Sequence, residues 1–465
     1  MLNVMLFLIL AGCVVAWVNW RWGVAAAIVV GLAQDPLRKL IPGTPAYLAM
    51  ASVPVWVAAL VSAIRVHPLF VNGFFTQFPR LARWMKLFGF YLVIPAAISA
   101  TWGAGTWKIT VLGIIVYSAT FLAMVAGWRF VRRPEDIGRL LGFYALVTGL
   151  FLIGGPLDSL GWSERFPAIG TAAMGHIWVT YRTGAPVYML AGLFRGPDVM
   201  GWHASLVFMV AVVMALRSKG VTRWLWIVLA AWGVLNIWLC GRRKMLAMLP
   251  VFAGCYVFLI FQFKSLRRLV AVLGIVAVVG GLGWYVISSL FQDDAVERFY
   301  LTTITEAEDR AYRHGYQSIF STVRQAGFWG YGWGMSQQGV HNIQAEKPRL
   351  YQESGPPKLF AELGIPGAFL FLAMGSMLLA TAYQVIRYTR RDPAFYYMAG
   401  ILSIIVANAI SGIVSAQIYG DPLVVLLLAF LMGLLFSGAR IGVPPVAAAG
   451  RLLDEPIVNP SGSAP

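Results

Sequence analysis

Apolar runs recur along this chain about every 30 residues, at 2–20, 22–34, 45–64, 86–103, 107–127, 138–155, 202–217, 223–239, 245–263, 268–291, 358–386, 396–416 and 421–437. Most are near the ~20 residues that a helix needs to cross the hydrocarbon core of a bilayer. The pattern predicts twelve or thirteen transmembrane helices; the two counts differ at 22–34, which is short and divided from 2–20 by Arg21 alone. Polar residues gather in the links. The longest are 156–201 and 292–357, and neither suffices for a separate globular domain of ordinary size. The expected fold class is therefore an all-α polytopic membrane protein. Residues 1–291 hold helices one to ten with a link at 156–201, and 292–357 form a large, partly helical loop. Residues 358–437 hold the last three helices, and the Pro-, Ala-, Gly- and Ser-rich 438–465 read as a disordered tail.

Composition excludes a soluble enzyme. Of 465 residues, 59% are hydrophobic and 12% charged, with a mean hydropathy of +0.73, whereas a soluble domain is about 25% charged. A net charge of +17 would raise the question of nucleic acid in a soluble protein. Here most Lys and Arg sit in short links beside the headgroups of a lipid bilayer, so no nucleic-acid partner is expected. The links carrying Arg65/Arg80/Arg83/Lys86, Arg129/Arg132/Arg133/Arg139, Arg217/Lys219/Arg223, Lys264/Arg267/Arg268 and Arg387/Arg390/Arg391 alternate with the others, which makes them the cytoplasmic loops. The opposite face, periplasmic in a bacterial inner membrane, receives 156–201, 240–244, 292–357 and 417–420. Cys13, Cys240 and Cys255 lie in or at the end of apolar runs and imply no disulfide framework. Leu10 to Cys13 resembles a lipoprotein cleavage box, but no Lys or Arg precedes Arg21 and the apolar run continues past the cysteine, so an uncleaved first span is expected.

One outer link breaks the charge rule. Arg242, Arg243 and Lys244 stand together at the start of a span on the wrong side. They read either as snorkelling anchors or as a clamp for an anion, since Arg presents a planar fork suited to phosphate oxygens. On the same face Arg195 lies in Gly192-Leu193-Phe194-Arg195-Gly196-Pro197-Asp198, where turn chemistry explains Gly196, Pro197 and an N-cap at Asp198 but explains Arg195 less well. The segment 292–357 holds eight acids against six bases, the one part composed like a soluble surface. Within it Arg310, Arg313, His314 and Gln317 recur at spacings of three and four, hence on one helix face, which is either solvated or a binding stripe. Phe328-Trp329-Gly330-Tyr331-Gly332-Trp333-Gly334 follows, its glycines permitting close backbone approach and its rings, Trp329 and Trp333 among them, able to stack on sugar faces. His341-Asn342 and Glu353 come next; each is either an ordinary loop residue or a base. No His, Asp and Glu grouping at metal-ligand spacing occurs inside the spans, so no metal is expected.

Three of these stretches carry a resemblance to the O-antigen ligase and O-antigen or exopolysaccharide polymerase family: Gly192 to Gly201, Cys240 to Leu249, and Arg310 to Gly367 with its closing Glu362-Leu363-Gly364-Ile365-Pro366-Gly367. Each motif is weak alone, and their order and spacing carry the match. The resemblance implies a helical membrane fold of GT-C-like architecture with a periplasmic active site. It implies a cofactor-free and metal-independent glycosyltransferase that moves an oligosaccharide from a polyprenyl-diphosphate donor to a glycan or glycolipid acceptor, alongside other polysaccharide-assembly proteins. The family's clamp arginines fall on Arg242 or Arg243 and on Arg310, with Arg195 in its Gly-Arg-Pro motif. Its catalytic-type histidine falls on Glu353, with Ser354 in place of the accompanying Asn, and this departure leaves Glu353 and His341 as alternative bases. It favours a surface-polysaccharide polymerase over a lipid-A-core ligase. A coupled transporter or flippase is the rival class, disfavoured because the acids lie in links, the large loop or the tail, except Glu362 near a helix start.

Overall fold

Backbone N–H and C=O groups find no partners in lipid, so apolar runs of this length fold as helices that satisfy them internally. A computed structural model describes residues 1–68, 70–103, 105–181, 186–264, 274, 277, 281, 285, 311–336 and 352–441. The chain opens with α1 (Leu2–Val18), α2 (Trp20–Lys39), α3 (Ser52–Val66), α4 (Phe70–Gln77), α5 (Pro79–Tyr91), α6 (Val93–Ala100), α7 (Trp107–Gly113), α8 (Thr120–Phe130), α9 (Pro134–Phe151) and α10 (Gly154–Ser159). A short antiparallel hairpin, β1 (Val179–Thr180) with β2 (Val187–Tyr188), sets Val179 opposite Tyr188. After it come α11 (Pro197–Arg217), α12 (Gly220–Leu239), α13 (Arg243–Phe263), α14 (Ser318–Ala326), α15 (Gly355–Tyr388), α16 (Phe395–Val414), α17 (Pro422–Phe436) and α18 (Gly438–Ile441).

Among the described residues ten stretches are long and apolar enough to cross a membrane: Ala46–Val66, Pro79–Ala100, Trp107–Phe130, Pro134–Ser159, Pro197–Arg217, Gly220–Leu239, Arg243–Phe263, Gly355–Arg391, Phe395–Val414 and Pro422–Ile441. Each coincides with an expected span. The expected span at 268–291, apart from four residues, lies outside the described residues, as do most of 292–357 and the chain beyond 441. One expectation is extended and one is corrected. The segment 22–34 lies inside a 20-residue helix, α2, which places Asp35, Arg38 and Lys39 in its last turns. Asp198 is not an N-cap: Gly196 caps α11, Pro197 opens it, and Asp198 sits in its first turn. Proline at the first positions starts α5, α9, α11, α15 and α17, where its missing N–H costs nothing.

The most enclosed spans are Pro197–Arg217 and Pro422–Ile441, with 89% and 83% of their apolar windows buried, and they form the centre of the bundle. α11 packs on α9, α12, α13 and α16, while α17 lies against α8. Gly127 and Gly433 bring α8 and α17 into backbone contact, since a Cβ on either would overlap the other helix's main chain. Cations tie the link ends at the basic end of the bundle. Arg21 Nε donates to the Phe130 carbonyl at 2.9 Å, Arg65 to that of Trp17 at 3.0 Å, Arg217 to that of Pro393 at 2.9 Å, and Arg440 to that of Trp128 at 3.2 Å.

Candidate functional site

At the opposite end of the bundle, the segment between β2 and α11 has no regular structure of its own and is held by charged side chains of its neighbours. Asp158, in α10, accepts the N–H groups of Ala191 at 3.2 Å and Gly192 at 3.0 Å. Lys39 donates to the Gly192 carbonyl at 2.9 Å and to that of Ala168 at 3.3 Å. This anchoring aims Arg195 inward. Its guanidinium pairs with Asp421, ahead of α17, and lies 3.6 Å from Asp35 of α2, whose other oxygen accepts the Arg195 N–H at 3.0 Å. Burial works against the charged guanidinium, but Asp421 and Asp35 outweigh it and raise the Arg195 pKa above its ordinary value. One cation thus bridges two carboxylates and welds α2, α11 and α17 together.

Next to it stands the turn between α12 and α13. Arg242 caps α13, Arg243 is its first residue and is buried, and Lys244 follows. Asp198 lies between two of the three: its carboxylate is 3.0 Å from Arg242 Nη2 and 2.7 Å from Lys244 Nζ. The Arg242 guanidinium also sits over the Trp178 ring, 4.9 Å from its centroid, and its Nε is buried without a hydrogen-bond partner. Arg38 Nε is likewise buried and unpartnered. Among the described residues two cations meet one carboxylate around Asp198, the reverse of the ratio around Arg195.

The corner joining α16 to α17 connects this cluster to the start of α15. Lys244 Nζ donates to Ser415 Oγ at 2.9 Å, and the adjacent Ala416 N–H donates to the Glu353 carbonyl at 2.7 Å. Gly355 lies directly against the Gly412 backbone, so the segment bearing Glu353 is pressed onto the corner. Glu353 itself is exposed there. Consecutive residues of one turn therefore hold Lys244 on one side and Glu353 on the other.

The Gly-aromatic stretch serves the protein's own backbone. Gly332 (φ 95) abuts Ser99 of α6, and Gly330 abuts Gly364, where α15 itself breaks with φ 68 and ψ −175. Tyr331 N–H donates to the Ala361 carbonyl at 2.7 Å, and Ile365 N–H to that of Phe328 at 2.9 Å. Glu362, fully buried, accepts from Tyr117 Oη at 2.6 Å and from the Ser336 N–H at 2.9 Å. Trp333 is buried and stacks on Tyr117 at 6.4 Å, whereas Trp329 is half exposed.

Of the residues that the sequence marks, the structure brings Arg195, Arg242, Arg243 and Glu353 to one end of the bundle. Arg310, His341 and Asn342 lie outside the described residues, and only the backbone of His314, in a π-helical turn spanning Ala311–Gln317, is described. Sequence reasoning missed Asp35, Arg38, Lys39 and Asp421. The only local signal was the charged end of α2, Asp35-Pro36-Leu37-Arg38-Lys39, directly after an apolar run. Among the described residues no group of three or more His, Cys, Asp or Glu side chains gathers as a metal site would. No family model matches the chain, and no curated protein matches it either.

Proposed function

We propose that the chain is a membrane glycosyltransferase of GT-C-like architecture that polymerises oligosaccharide units carried on polyprenyl diphosphate, at the periplasmic face of a bacterial inner membrane. The observation that carries this reading is the juxtaposition of the Arg242-Arg243-Lys244 turn and Glu353 across the Ser415-Ala416 corner. A diphosphate leaving group needs cations that neutralise the charge developing as its bond to sugar breaks. Arg242 and Lys244 outnumber Asp198, and Arg242 Nε has a hydrogen bond still to give. Arg195, balanced by two carboxylates, acts as a strut that fixes the turn rather than as a phosphate ligand. Arg310 completes the clamp from the large loop. Glu353, exposed at the same corner, takes the proton from the acceptor hydroxyl, with His341 as the competing base. Ligation to a glycolipid or protein acceptor uses the same chemistry and differs only in what supplies that hydroxyl.

The test separates binding from transfer, using a lipid-linked oligosaccharide donor and the purified chain in vesicles. Arg242→Ala/Arg243→Ala is expected to lose donor binding and transfer together, and the double Lys variant to recover only part, because a point charge cannot reproduce the bidentate fork. Glu353→Gln is expected to bind donor normally but to transfer about 10²–10⁴ times more slowly, the usual cost of losing a positioned base. Unchanged transfer in the double Ala variant would refute the clamp. A dead His341→Ala beside an active Glu353→Gln would move the base to His341, and wild-type donor crossing the bilayer without transfer would identify a flippase.

A further inference from the structure

The link between α10 and β1 covers two of the outer cations with a single turn. Gly170 N–H donates to the Gly192 carbonyl at 2.8 Å and Met189 N–H to the Trp178 carbonyl at 2.9 Å, which anchors the turn at both ends. Between the anchors it closes on itself: Met174 N–H donates to the Thr171 carbonyl at 3.0 Å, Gly175 N–H to that of Ala172 at 2.9 Å, and Thr171 Oγ1 to that of His176 at 2.6 Å. Ala172, Ala173, His176 and Ile177 are exposed, whereas Met174 is half-buried and its Sδ accepts from Arg38 Nη2 at 2.9 Å. Four residues on, the Trp178 ring lies against the Arg242 guanidinium. Arg38 is only 8% exposed, and a guanidinium taken out of water calls for strong acceptors. A thioether sulfur is a weak one. Nε is buried with no hydrogen-bond partner, and Asp35, three residues back on α2, is engaged by Arg195. A phosphate oxygen in the place of Met174 Sδ would give Arg38 a charge-assisted bond, about twice as strong as a neutral one. Lifting the turn to admit it would uncover Arg242 as well.

Resting on the reading of a diphosphate donor, we propose that Arg38 is a further phosphate ligand of that donor and that Met174 is the stand-in acceptor which the phosphate displaces as the turn lifts. Geranylgeranyl diphosphate, a short polyprenyl diphosphate, and inorganic pyrophosphate are the probes, titrated calorimetrically against the purified full-length protein in detergent. Wild type is expected to bind geranylgeranyl diphosphate, Arg38→Gln about tenfold more weakly, and Arg38→Lys in between, because a point charge lacks the planar fork. Met174→Ala is expected to bind about threefold more tightly, since the competing acceptor is gone. A gain of affinity cannot come from misfolding, and a methionine that merely packs on a structural arginine would not produce one. Arg165→Gln, on the exposed surface of the same link, should match wild type. An Arg38→Gln variant with wild-type affinity, or a Met174→Ala variant that binds no more tightly, overturns this inference and leaves the donor reading standing. Equal losses in Arg165→Gln and Arg38→Gln would mean diffuse surface charge and overturn it too. Wild type that binds no geranylgeranyl diphosphate, or binds pyrophosphate alone, overturns the donor reading and this inference with it.

Discussion

Asp421 serves two masters. One oxygen accepts from Leu423 N–H at 2.8 Å and Val424 N–H at 3.4 Å as the cap of α17, and the other pairs with Arg195. Asp421→Asn keeps most of the cap but leaves a buried cation with one carboxylate, whereas Asp421→Ala loses both. Breaking a buried pair by removing one partner costs about 3–5 kcal/mol, and loss of a cap adds about 1 kcal/mol. Thermal unfolding of the detergent-solubilised protein should rank wild type above Asp421→Asn and Asp421→Ala lowest; an Asn variant as stable as wild type would show that the ion pair contributes nothing. The sequence displayed Arg195 as a residue that turn chemistry did not explain, but it could not display the partners. Asp35 and Asp421 are 160 and 226 residues away, beyond any local spacing rule. Glu362 was visible as a lone acid at a helix start, yet its bond to Tyr117 spans 245 residues.

The spans were legible because each is a long apolar run and lipid leaves a backbone little choice but helix. α2 was under-read because its last turns hold Gln34, Asp35, Arg38 and Lys39, which lower the hydropathy of a helix that the fold nevertheless buries there. The break within α15 was not legible either: Gly364-Ile365-Pro366-Gly367 falls inside the expected span 358–386, and only the neighbouring loop explains its geometry. Gly364 (φ 68) leaves no room for a side chain beside Phe328 and Trp329. Gly364→Ala should therefore cost more than the roughly 1–3 kcal/mol of the backbone strain alone. Gly375, in the same helix with nothing within 4 Å of its missing Cβ, is the control, and its change to Ala should stabilise by about 0.5–1 kcal/mol. Melting temperatures of the two variants that move together would refute the wedge.

Among the described residues the cations form two populations: those at the basic end bond to carbonyl oxygens in the last turns of helices and in links, and those at the opposite end are interleaved with Asp35, Asp158, Asp198 and Asp421. If the basic end is cytoplasmic, then in a cysteine-free variant Glu164→Cys should react with a membrane-impermeant maleimide in intact spheroplasts and Val221→Cys only after lysis. The opposite labelling would invert the bundle and, with it, the side on which the proposed chemistry occurs. The corner between α16 and α17 also fixes when the cluster around Arg195 and Asp198 is first complete. Ser415, Ala416 and Asp421 are synthesised after every other described member of this cluster, so a nascent chain that has inserted its earlier helices still lacks the turn that sets Lys244, Glu353 and Arg195 in place. Such a chain, halted before residue 412, would sit in the membrane with the cluster unassembled, and the cluster would close only as the last two spans enter the bilayer.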